Sequence, residues 1–181
     1  MHHILYLIIT AKDMNEETYR QVIDAANSND AFAQTILGMF YLDTANTQNV
    51  TDEGYRILCH SGDMKNCIWA KNALFYIRRS KGFKTPLSKF ILVEDDALTQ
   101  LKNYADSGNM WAMTAYGNLR YLGHSNTRNK DEGIEYLRKG AIAGCLLANE
   151  YMFSYGIKFQ HPNDTLFQSI KSTINRFIPI K

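Results

Sequence analysis

The sequence predicts an all-α fold, a solenoid of stacked antiparallel helix hairpins, about four to five of them, in a single domain over residues 1–181. Three observations carry that expectation. The run at 29–38, NDAFAQTILG, returns at 108–117 as GNMWAMTAYG. The triplet Asp52, Glu53, Gly54 returns as Asp131, Glu132, Gly133 at the same offset from each run. Only three prolines occur (Pro86, Pro162, Pro179), all in candidate loops or at the tail, so long helices are permitted.

Each element follows in order. The opening stretch 1–11 is apolar, but no Lys or Arg precedes its apolar part and no small-x-small cleavage site follows it. It reads as the first helix of the first hairpin. The next segment starts at Glu16, places Thr18, Val22, Ala25 and Ala26 on one loose face, and ends at the turn-prone pair Ser28, Asn29. The helix after it carries Leu37 and Gly38, then Tyr41. Gly in mid-helix costs about 0.5–1 kcal/mol relative to Ala. Its recurrence at Gly117 therefore predicts close backbone packing against the partner helix. The helix from Asp52 ends near Ser61 and Gly62, and a further helix covers 67–76 without a Leu-Gly pair. A long loop spans 80–94. It begins in the basic stretch Arg78 to Lys84, read as a solvated loop, and carries the apolar run Phe90, Ile91, Leu92, Val93.

The pattern then repeats. Ala97, Leu98, Leu101 and Ala105 share a face before Ser107 and Gly108. Tyr116, Gly117 and Tyr121 mark the next helix. Ile134, Leu137 and Ala141 share a face before Ala143 and Gly144. An acid stands in or near the first turn of each such helix (Glu16, Asp52, Asp95, Asp131, Asp164), where it complements the helix dipole. Finally Leu166, Ile170, Ile174 and Phe177 sit at helical spacing, as in a C-terminal helix that closes the end of the stack.

This layout resembles the Sel-one-like repeat family, relatives of tetratricopeptide repeats, whose pattern is roughly A-x-A-x-x-x-L-G-x-x-Y, a loop, then a helix with K-A and a closing G. Ala31, Ala33, Leu37, Gly38 and Tyr41 fit it, as do Ala112, Tyr116 and Gly117, then Gly133, Tyr136, Lys139, Ala141 and Gly144. The resemblance implies a right-handed α-α superhelix and a bacterial protein. It also implies that the first helix of each hairpin lines a concave groove that holds a protein or peptide partner. Some small members neutralise a toxic partner by binding it, so an adaptor or immunity-type protein is the implied function, without catalysis.

Within that groove an aromatic series stands out: Phe32, Trp69 and Trp111, at or near equivalent points of successive helices. By the family pattern Thr35 and Met39, Asn72 and Tyr76, and Thr114 and Asn118 face the groove beside them. Trp and Tyr dominate binding energy at interfaces. The alternative is that the rings fill space between repeats. The cysteine-rich, secreted branch of the family staples consecutive helices at the spacing of Cys59 and Cys67, which implies a possible disulfide here and, with it, a periplasmic or secreted location. Without the bridge the expected location is cytoplasmic. That branch also suggests two other functions, β-lactam binding or hydrolysis and an exported envelope component.

Composition narrows the rest. Net charge is +2, too small for a nucleic-acid footprint, and no apolar run approaches the roughly 20 residues of a membrane helix. The histidines show no ligand spacing, and no phosphate loop, nucleophile elbow or dinucleotide fingerprint is present, so no metal or cofactor is expected.

Overall fold

The structure, a computed structural model, describes residues 14–79, 95–122 and 129–159, and all of their regular structure is helical. The helices are α1 (Glu16–Asn27), α2 (Ala31–Thr44), α3 (Gln48–Cys59), α4 (Ile68–Arg79), α5 (Asp95–Asp106), α6 (Met110–Leu122), α7 (Lys130–Ile142) and α8 (Leu146–Ser154). A π turn, His60–Met64, extends α3. The expected first helix at 1–11, the loop at 80–94 and the closing helix at 163–178 lie outside the described residues.

The sequence explains where helices start. Asn15, Asp30, Thr47, Asn109 and Asn129 each present a side-chain oxygen to first-turn amides of α1, α2, α3, α6 and α7. α3 begins earlier than expected because Thr47 caps it, so Asp52 falls beyond its first turn. Turns after α1, α5 and α7 need a left-handed residue, supplied by Asn29, Gly108 and Gly144. Ser61 and Gly62 are not such a turn. They are buried in the π turn, and Asn66 takes the positive φ instead.

Two halves share one plan. Asp30 and Asn109, like Glu53 and Glu132, are 79 residues apart. Cys67 and Cys145 are one residue closer, and both donate their N–H to the end of the preceding helix, at Ser61 O and Gly140 O respectively. The first half therefore holds one extra residue between these points, and the π turn absorbs it, as single insertions into helices do.

The glycine pairs do what their recurrence predicts. Gly38 on α2 faces Gly54 on α3, and Gly117 on α6 faces Gly133 on α7, at helix crossings too close for a side chain. A Cβ on Gly117 would lie 2.8 Å from Leu137 N and 2.9 Å from Gly133 O.

The helices also make contacts that the expected superhelix does not by itself require. In α4 the first N–H, that of Ile68, donates to Gln100 Oε1 on α5 at 2.7 Å, and Gln100 Nε2 donates to Asn66 O at 2.9 Å. The same clamp recurs between the last and first described helices. Leu146 N donates to Gln21 Oε1 at 2.9 Å, and Gln21 Nε2 donates to Gly144 O at 2.7 Å. Glu150 on α8 adds to it by accepting from Asn15 N and from Thr18 Oγ1. α8 pairs with α1 as α4 pairs with α5. Across the middle, Asn109 Nδ2 donates to Asp30 Oδ2, and Phe32 meets Tyr104 edge to face at 4.9 Å, so the N-termini of α2 and α6 also touch. The described helices close on themselves.

Candidate functional site

Closure decides where the expected groove residues lie. Phe32, Thr35, Met39, Trp69, Asn72, Trp111, Thr114 and Asn118 are all buried, with exposures between 0 and 6%. Tyr76 belongs to α4, and its side chain lies outside what the structure describes. Phe32, Trp69 and Trp111 fill space between helices, and of the eight Phe32 also lines a concavity of about 260 Å³ between the halves. The polar members split into two groups. Thr35 and Thr114 are satisfied, each donating to the carbonyl one turn back, at Ala31 O (2.7 Å) and Met110 O (2.8 Å). Thr35 also touches Ser61 Oγ and Cys67 Sγ. Asn72 and Asn118 are not fully satisfied. Both polar atoms of Asn72, the Asn118 Nδ2, the Trp69 Nε1 and the Gln34 Oε1 are buried without a hydrogen-bond partner. Asn118 Oδ1 does accept from Tyr155 O–H.

No disulfide joins Cys59 and Cys67 in the structure, unlike the bridge suggested by the family. Cys67 turns its sulfur to Thr35, 3.6 Å from Oγ1, rather than back across the π turn. Burial pushes the Cys145 thiol above its ordinary pKa, which keeps it protonated and inert. Among the described residues no three His, Cys, Asp or Glu side chains gather to hold a metal ion.

Two accessible concavities lie on the outside of the first half, and a third, of about 260 Å³, lies between the halves beside Phe32, Lys65, Gln100 and Tyr104. One, of about 310 Å³, opens between α1, α2 and α3 and is lined by Asn27, Gln34, Leu37, Tyr41, Arg56 and His60 among others. A second, of about 500 Å³, continues from it across Tyr41 and Glu53 toward Tyr19, Phe40 and Asn49. Tyr19, Phe40 and Tyr41 are half-buried. Their rings form a ladder, Tyr19 to Phe40 at 5.1 Å and Phe40 to Tyr41 at 6.3 Å. Tyr19 O–H donates to Tyr41 O–H at 3.3 Å. Burial, helped by that contact, pushes the Tyr19 pKa up to about 12, so the phenol is neutral at physiological pH. Glu53 is held below the ordinary glutamate range by hydrogen bonds from Arg56, at 2.8 and 2.6 Å.

The same place in the second half is a closed polar cluster. Tyr116 and Tyr136 meet edge to face at 4.7 Å. Tyr116 O–H donates to Glu132 Oε1 at 2.8 Å, and Arg120 Nε donates to Glu132 Oε2 at 2.7 Å. Burial works to raise the Glu132 pKa, but these two hydrogen bonds together outweigh it and the carboxylate stays below its usual range. Tyr136 O–H donates to Asp106, whose other oxygen accepts from Lys102 Nζ at 2.8 Å. In the sequence Leu37, Tyr41, Tyr116 and Tyr136 read as marks of the repeat and not as partner contacts, because a half-buried Tyr or Phe in a helix reads as core. The signal present was the substitution pattern between the halves, Leu37 against Tyr116 and Ile57 against Tyr136.

No family model, no curated protein and no solved structure matches the chain. Among the described residues no helix is long and apolar enough to cross a membrane.

Proposed function

We propose that the chain is a binding module, without chemistry of its own, that holds a protein partner against the α1–α3 face. The single observation that supports this is the aromatic ladder Tyr19, Phe40, Tyr41, half-buried along a groove that Asn27, Asn49 and Glu53 edge with polar groups. Aromatic anchors set in a polar rim are the anatomy of protein interfaces. An adaptor or an immunity-type protein that masks a toxic partner is the concrete form suggested by the family resemblance. We place the protein in the cytoplasm, the location expected where Cys59 and Cys67 are not bridged.

The inner wall is the competing contact surface, and two variants separate the surfaces. With a partner captured from the source cell and identified by mass spectrometry, Tyr41→Ala is expected to weaken its binding by about thirtyfold, the loss typical of an interface hot spot. Its helical circular dichroism should be unchanged. Trp111→Ala is expected to lower stability instead, by about 3–5 kcal/mol, as for a buried aromatic. A Tyr41→Ala protein that binds as well as wild type, beside a folded Trp111→Ala protein that does not, would move the contact to the inner wall.

A further inference from the structure

The duplication places one groove on the molecule twice, and its two copies differ in what fills them. In the second half the phenol rings of Tyr116 and Tyr136 occupy it, and their O–H groups donate to Glu132 and Asp106. In the first half the residues at the same positions are Leu37 and Ile57, with Glu53 and Asn27 where the two acceptors stand. All four line the cavity of about 310 Å³. Both tyrosine rings are missing there; Glu53 keeps the carboxylate and Asn27 keeps a side-chain oxygen, while Ile23 and Tyr41 stand where Lys102 and Arg120 do.

A second observation is independent of the comparison. Gln34 lines the same cavity and is 8% exposed. Its Nε2 donates to Ala26 O at 3.0 Å and to Asn29 Oδ1 at 3.3 Å, which fixes the amide's orientation. Among the described residues its Oε1 is left without a donor. A buried acceptor in this state is destabilising until a donor arrives. The cavity thus offers apolar walls from Leu37, Ile57 and Ile23, an orphaned acceptor at Gln34 and a carboxylate at Glu53.

We propose that this cavity takes a phenol, the side chain of a tyrosine presented by the partner protein, which donates its O–H to Gln34 Oε1. The inference rests on the binding function proposed above and names the anchor that the partner contributes. The ring lies between Leu37 and Ile57, in the space that Tyr116 and Tyr136 fill in the other half. Glu53, the counterpart of the acceptor for Tyr116, lies in the same lining as the second acceptor.

The probe is N-acetyl-L-tyrosinamide, followed by amide chemical shifts of the whole protein, with N-acetyl-L-phenylalaninamide as the analogue lacking the hydroxyl. Saturable shifts are expected in the segment 23–60, with the phenylalanine analogue about tenfold weaker, since it leaves the Gln34 oxygen unpaired. Leu37→Tyr with Ile57→Tyr copies the filled half and should abolish those shifts. Gln34→Leu, which keeps the volume and removes the acceptor, should make the two probes bind equally, and it serves also if the double variant does not fold. The absence of saturable shifts, or a preference for tyrosine that survives Gln34→Leu, would overturn the phenol assignment. If the probe binds but partner capture is unaffected by the filled groove, the phenol belongs to a free small molecule and the partner assignment fails. If no probe binds while Tyr41→Ala still weakens capture, the binding function stands without the tyrosine anchor.

Discussion

Gly133→Ala is expected to destabilise the protein by about 3 kcal/mol or more, and Gly54→Ala by roughly half as much, although both replace the same glycine of a duplicated helix pair. A Cβ on Gly133 would lie 2.5 Å from Tyr121 N, 2.8 Å from Gly117 O and 2.8 Å from Tyr121 Cα. All three are backbone atoms of α6, so relief requires that whole helices move apart. A Cβ on Gly54 would lie 2.8 Å from Leu42 Cγ and 3.1 Å from its Cδ2, with Gly38 O at 3.0 Å. Two of those three contacts are to a side chain that can change rotamer. Ala is the better helix former by about 1 kcal/mol, so the measured losses are net of that gain. Urea denaturation of the two variants beside wild type decides the matter. Equal losses would mean that α6 and α7 cross no more closely than α2 and α3.

Asn72→Leu is expected to stabilise the protein, by about 1–3 kcal/mol. Asn72 is 6% exposed, and among the described residues neither of its polar side-chain atoms has a partner. The reason lies in the repeat. Its counterpart in the second half is Glu150, whose carboxylate accepts from Thr18 Oγ1 across the α8–α1 contact. The residue that matches Thr18 at the α4–α5 contact is Ala97 on α5, which brings no hydroxyl. A leucine of similar size removes two desolvated groups and adds apolar contact with the surrounding core. The midpoint of denaturation should rise at constant slope, since the surface exposed on unfolding is nearly unchanged. A fall would show that Asn72 is engaged in solution, and the inner wall would regain its claim as the contact surface.

Much of the local structure could be read before any coordinates. The recurring Gly38 and Gly117 announced a close helix crossing, and Gly54 and Gly133 turned out to be the other side of it. The turns at Asn29, Gly108 and Gly144 were legible because left-handed backbone restricts residue choice. Closure was not legible. Gln21 and Gln100 look like ordinary polar residues on helix faces, and only their shared offset with the repeat hints that both clamp the start of another helix. The π turn was hidden for a similar reason, since one extra residue between Glu53 and Cys67 leaves no mark on composition.

The inner-wall residues are buried for a physical reason. Trp69 and Trp111 carry large apolar rings that serve equally well against a partner or against a neighbouring helix, and burial by α-helices across the middle decided for the latter. The unpaired atoms of Asn72 and Asn118 set those positions apart, but their polarity alone could not say whether they face water, a partner or a dry interior. Tyr41 and Phe40, by contrast, lie half-open on the outer face of the first half, beside positions where the second half has grown its own aromatic filling.

The amide of Leu146 offers the most direct test of closure. It sits at the start of α8, where an N–H has no intrahelical partner, and Cys145 offers it no side-chain cap. Its acceptor is Gln21 Oε1, 125 residues earlier in the chain. Hydrogen exchange followed by NMR should find the Leu146 amide protected in the wild-type protein, and freely exchanging in Gln21→Ala while the Ile68 amide, held by Gln100, remains protected. A Leu146 amide that exchanges freely in the wild type would mean that α1 and α8 stand apart and that the helices form an open stack.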